Sequence, residues 1–193
     1  MSSMKSALAP LATVAALCAI LIAPAHVAAK HRAACKPATA AAATALPREE
    51  PSVRLARAAV CLINQRRIAH GIRRLRLNHR LSRAAVWHSH DMVRRQYFSH
   101  TSGRGRDVVD RLYKSRYLKG SRTWMVGENL AWGSGVKGSP REIVRAWMHS
   151  GGHRHNMLNP RFREIGIGVR KGSPVRVGLP AATYTTTFGY RRG

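Results

Sequence analysis

Between Ser52 and Ala69, the residues Leu55, Ala59, Leu62, Ile63 and Ala69 recur at the spacing that places apolar side chains on one face of a helix. Ser52 is placed to cap its start, and Gly71, after His70, to end it. A second helix is predicted over Asn78 to Arg95, with Leu81, Ala85, His88 and Met92 on its buried face. His88 therefore reads as a core histidine. A shorter helix over about Asp107 to Arg116 would bury Val108, Val109 and Leu112. Ser139-Pro140-Arg141-Glu142 spells a capping box with proline in the first helical position, opening a helix through Ile143, Ala146 and Trp147 that Gly151-Gly152 closes.

The period then shortens. Ile165 to Val169, Val175 to Leu179 and Tyr184 to Tyr190 are β-branched and aromatic runs separated by glycine and proline, which predicts a small antiparallel sheet. Trp124 to Ala131 clusters its apolar residues without helical period and suits a strand or a buried ligand-bearing loop, with the loop preferred at the Gly127 end. Helices first and strands last make the chain α+β, a single domain from Ser52 to Gly193.

Ahead of that domain, Met1 to Lys5 is short and positive, Ala7 to Ala25 is apolar, and Val27-Ala28-Ala29 supplies small residues. This is the pattern of a secretion signal cut after Ala29, with Ala25 the second choice. A retained membrane anchor is the rival, opposed by the alanine content and by Pro10 and Pro24. Lys30 to Pro51 is rich in alanine and proline and reads as a linker. Cys18 would leave with the signal, so Cys35 and Cys61 remain as an even pair in an oxidising compartment and are expected to form a disulfide.

Loss of Lys5 with the signal would take the formal charge only from +26 to +25. Such a field favours anionic surfaces, such as wall polymers or lipid head groups. The arginines are scattered from Arg32 to Arg192 with no nucleic-acid-binding motif, which argues against specific nucleic-acid recognition. A monomer is expected.

Titratable groups gather beside turns in Tyr97-Phe-Ser-His100-Thr101, Gly127-Glu128-Asn129 and Ser150-Gly-Gly-His153-Arg-His155-Asn156. Read with Cys61-Leu-Ile-Asn64, Arg67, His88-Ser-His-Asp-Met92, Asp110-Arg111, Trp147-Met148, Gly166-Ile-Gly-Val169 and Tyr184 to Gly189, the chain resembles the CAP superfamily. That superfamily comprises the cysteine-rich secretory, antigen 5 and pathogenesis-related-1 proteins. The resemblance runs from Ala58 to Tyr190 and implies a three-layer α-β-α sandwich.

It also implies that His100, Glu128 and His153 are three members of a cleft tetrad of two histidines and two acids. The fourth position is Ser150, which cannot supply a carboxylate. The two imidazoles, His100 and His153, could hold a divalent metal such as Zn, with Glu128 a third ligand or a partner fixing a tautomer. A small polar or lipidic ligand in the cleft is the other expectation. Metal-assisted hydrolysis of peptides or cell-wall material is an alternative, although no His-Glu-x-x-His sequence is present. A third is a cationic module for anionic surfaces, its histidines purely structural. His149 and His155 read as surface residues. Gly133-Ser-Gly135-Val-Lys-Gly138 spells a dinucleotide fingerprint but lacks the alternating strands and helices that give it meaning.

Overall fold

Residues 35–193 are described by the structure, a computed structural model. The secretion signal, its cut after Ala29 and the retained-anchor alternative fall outside the described residues.

The chain runs through α1 (Pro37–Ala41), α2 (Ser52–Ala69), β1 (Arg76–Leu77), α3 (His79–Arg95), α4 (Val108–Lys114) and β2 (Thr123–Ser134). A 3₁₀ turn (Gly135–Gly138), α5 (Pro140–His149), α6 (Gly151–Leu158), β3 (Glu164–Lys171) and β4 (Ala181–Arg192) complete it. The sheet order is β1-β3-β4-β2. β3/β4 and β4/β2 are antiparallel, but β1 lies parallel to β3, so the sheet is mixed rather than wholly antiparallel. Helices α2, α5 and α6 cover one face and α3 and α4 the other, the expected α+β sandwich.

The two faces are built differently. Toward α2 and α5 the sheet presents Ile165, Ile167, Tyr184 and Phe188, which pack on Leu55, Ile63 and Trp147. Toward α3 it presents Gly166, Gly168, Thr185 and Thr187. A methyl on Gly166 would collide with the backbone of Leu81 and Ser82, and one on Gly168 with that of Ala85 and Val86. With α3 this close, its groups bond directly to the sheet: Ser89 Oγ donates to the Gly168 carbonyl at 3.0 Å and accepts from the Thr185 hydroxyl at 2.9 Å, and Thr187 Oγ1 donates to the Leu81 carbonyl at 3.1 Å. The glycines and threonines of β3 and β4 therefore fix the seat of α3, and with it the loop that follows.

Several sequence expectations need correction. Lys30 to Pro51 is not a bare linker over its described part: it forms α1 and buries Ala42 and Ala43 against Ala58, and the Ala43 carbonyl accepts from the Arg141 amide. Small side chains and the Cys35–Cys61 disulfide let it lie flat on α2. Ser52 begins α2 without a capping bond, the cap position being Pro51. Trp124 to Ala131 is continuous strand, with no loop at Gly127, because β2 pairs with β4 along its whole length. Val175 to Leu179 is not a strand; β3 and β4 already pair as far as Lys171 and Ala182, and Val175, Val177 and Leu179 lie exposed between them. Ser139 makes no capping bond, since Glu142 pairs with Arg145 instead. Gly151-Gly152 opens α6 rather than ending the structure there, the break falling on the extended backbone of Ser150.

Arg67, fully buried, anchors α6. Its Nη1 donates to the carbonyls of Met157 at 2.7 Å and Asn159 at 3.0 Å, and its Nε to that of Arg73 at 2.9 Å. Burial lowers its pKa to about 10, with Arg163 nearby adding to the effect, so it stays charged at neutral pH. Gly168→Ala should cost about 3 kcal/mol, because backbone rather than a flexible side chain must give way. A denaturant melt of the variant checks this; a midpoint matching the parent would mean α3 is free to shift.

Candidate functional site

His100 lies on the loop between α3 and α4, and two side chains hold the backbone there. His88 Nε2 faces the Ser99 carbonyl at 2.9 Å and must carry the ring proton, while Arg111 Nη2 donates to the His100 carbonyl at 3.0 Å. Burial lowers the His88 pKa to about 4, the pull of Glu128 only partly opposing it, so the ring is neutral at physiological pH. The core assignment of His88 thus carries a positioning role beyond packing. Arg111 is aimed inward by α4, whose start is fixed by a capping box between Asp107 and Asp110.

Glu128 sits on β2 with its side chain 3% exposed. Arg111 Nη2 donates to both carboxylate oxygens, at 3.0 and 2.8 Å, and His100 Nδ1 lies 2.9 Å from Oε1. Facing a carboxylate, Nδ1 carries a proton, so Nε2 is the ring nitrogen turned away from Glu128, on a side chain that is 59% exposed. The carboxylate is thereby occupied by its neighbours, so Glu128 stands behind His100 as the partner that orients it.

His153 enters from α6. Asn129, beside Glu128, donates to the His153 carbonyl at 3.0 Å, and Asn156 donates to Asn129 Oδ1 at 2.9 Å and to the Glu128 carbonyl at 3.2 Å. Asn156 fits because position 127 is glycine: a methyl there would press on its side chain and on Phe162. The His153 ring is half-buried, and its pKa is lowered first by burial and then by repulsion from His100. His100 is thus bonded to Glu128, and His153 lies near enough to His100 to feel its charge. Among the described residues no group of three or more His, Cys, Asp or Glu side chains forms a ready cation site.

Ser150, at the expected second acidic position, is the hinge between α5 and α6, and its carbonyl accepts from the Arg154 amide. His149 and His155 are exposed, as expected. The Gly133 to Gly138 segment follows a strand paired antiparallel to β4; its glycines serve a tight turn, Gly133 against the Lys137 carbonyl and Gly138 against Pro47. Arg111, Asn129 and Asn156 were not singled out from the sequence as site residues. A lone glutamate amid apolar residues was the available signal for the first, since a buried carboxylate needs a cation.

A family model described as the cysteine-rich secretory protein (CAP) family matches residues 60–188. The chain belongs to that family. The uncharacterized protein YkwD of Bacillus subtilis (strain 168) is 40% identical over 113 residues, which is 58% of this chain and 41% of that protein. A crystal structure of an extracellular protein containing a SCP domain from Bacillus anthracis has a TM-score of 0.57 and 28% identity over 71% of this chain and 40% of that one. This chain thus spans under half the length of both. An outer surface protein of Borrelia burgdorferi shares the fold, with a TM-score of 0.60 at 18% identity, covering 74% of this chain and 97% of that one.

Within this CAP domain, Arg111→Met should lose about 3–5 kcal/mol by leaving Glu128 buried without its cation, and adding Glu128→Gln should restore part of it. Denaturant melts of the single and double variants give the comparison; a fully additive loss would deny the pairing. His88 also sets a pH window. Its folded pKa of about 4 lies below the ordinary value of 6.5, so between them the unfolded chain binds the extra proton. Stability rises with pH across that window and is lost as pH falls through it, by on the order of 3 kcal/mol. His88→Gln should reduce the slope there by about one proton, measured by melts at stepped pH.

Proposed function

We propose that this chain is an extracellular CAP-domain protein whose His100–Glu128–His153 cleft binds a divalent metal such as Zn through the two imidazoles, or a small polar ligand in the same place. The observation that carries this reading is the chain of bonds from Arg111 through Glu128 to His100 Nδ1, which leaves Nε2 as the unbonded ring nitrogen. His153, whose pKa is lowered first by burial and then by His100, is its natural companion. Two imidazoles in their neutral form would suit a borderline-soft ion, and Glu128 fixes the orientation of one of them. Bound there, such an ion would act as a Lewis acid with positions left for water or ligand.

The same bonds weigh against hydrolysis with Glu128 as general base, because its carboxylate already accepts from Arg111 and His100. Residence outside the cell is supported by the Cys35–Cys61 disulfide and by the extracellular and outer-surface descriptions of the structural relatives. No helix among the described residues is long and apolar enough to cross a membrane. Attachment to an anionic surface is a second reading, favoured by a net charge of +26.

Calorimetric titration of Zn into the purified protein at neutral pH, beside a His100→Ala, His153→Ala double variant, tests the cleft. One site is expected, lost in the variant and weakening as pH falls below the imidazole range. A parent protein that takes up no Zn would leave the histidines as structural groups.

A further inference from the structure

A cavity of about 570 Å³, with Arg111 in its wall, lies between α3, α4, the loop joining them and the end of β3. Its walls carry five cations, Arg94, Arg106, Arg111, Lys114 and Arg170, against the single carboxylate of Asp91. That carboxylate is spent: Oδ1 accepts from Arg95 Nε and Oδ2 from the Tyr97 hydroxyl, each at 2.8 Å. Arg94, Arg106 and Arg170 make no ion pair among the described residues. A cavity of about 560 Å³ elsewhere carries three cations, Arg48, Lys171 and Arg176, so the basicity here differs in degree. A neighbouring cavity of about 530 Å³, which shares Ser52, Val86 and Val169 with the first, has Arg57 as its one arginine or lysine and is otherwise largely apolar.

One of the cavity's residues also holds a donor that the protein leaves unsatisfied. Arg111 Nε is buried without a partner, and Arg111 belongs to the wall. Lys114 is held in place, its Nζ 5.0 Å from the centre of the Trp87 ring, which also lines the cavity. Three arginines without an ion pair and a lysine lining one half-open groove match the chemistry of phosphate, whose oxygens take guanidinium forks, better than that of a singly charged carboxylate. The volume leaves room for more than bare phosphate.

We infer that this cavity is a binding site for a small phosphate-bearing anion of about the size of a phosphorylated polyol, separate from the His100–His153 cleft. The ligand's phosphate sits among Arg94, Arg106 and Arg170, and its hydroxyl-bearing part lies along Trp87 and Val86.

Calorimetry or amide chemical shifts with glycerol 3-phosphate and inorganic phosphate test this on three forms of the full chain. These are the parent, an Arg94→Ser, Arg170→Ser variant, and an Arg48→Ser, Arg176→Ser variant that removes equal charge from a different cavity. All four arginines are exposed, and an unchanged melting midpoint shows that the folds are intact. One saturable site is expected, weakened about ten-fold or more in the first variant and less than about two-fold in the second. Equal weakening in both, or no saturable binding in the parent, overturns the site. Vesicles of phosphatidylglycerol separate the sources: vesicle binding that falls with the free probes makes a lipid headgroup the source, and vesicle binding that persists in the first variant makes it soluble phosphate.

Discussion

A single buried ion pair organises the functional end of this molecule. Arg111 and Glu128 come from a short helix and a sheet strand, neither of which could keep its charge out of water alone. Once paired, they take in the surroundings: the guanidinium grips the backbone at Arg106 and His100, and the carboxylate orients the His100 ring. The loop after α3 has little regular structure, yet it is tied from Arg111 on one side and His88 on the other. The placing of His100 is thus a product of charge burial, with the exposed imidazole mounted on a support already completed inside the protein.

That support depends on how closely α3 lies on the sheet. Where the other face uses ordinary aliphatic and aromatic packing, this one replaces side-chain bulk with glycine and with threonine and serine hydroxyls that bond across the gap. The arrangement brings His88 deep enough to lose its proton while leaving one ring nitrogen to hold the loop. Fold and site are linked here through a helix-to-sheet distance.

Much of this could be read from the chain. The 3.6-residue period located α2, α3 and α5 to within a few residues, and the Leu81, Ala85, His88, Met92 stripe gave the buried face of α3. The cysteine count gave the disulfide. The period failed where local signals were outvoted by pairing: Gly127 looked like a loop residue, but a partner strand covers it, and Val175 to Leu179 looked like a strand, but no strand is left for it to pair with. The alanines around Ala42 carried no pattern because their burial depends on Ala58, a residue distant in sequence. His100, Glu128 and His153 were found through motif resemblance; Arg111 was overlooked as a site residue because a cation among so many gives no sequence signal of its own.

Of the chain's 34 lysines and arginines, Arg67 and Arg111 are the buried ones among the described residues. Both are clamps for backbone carbonyls, and neither shapes the outer potential much. Apart from the basic residues of the proposed phosphate site, those that remain among the described residues sit on a finished scaffold, so much of the surface charge is free to drift in evolution, or be rewritten by design, without reopening the question of how the chain folds.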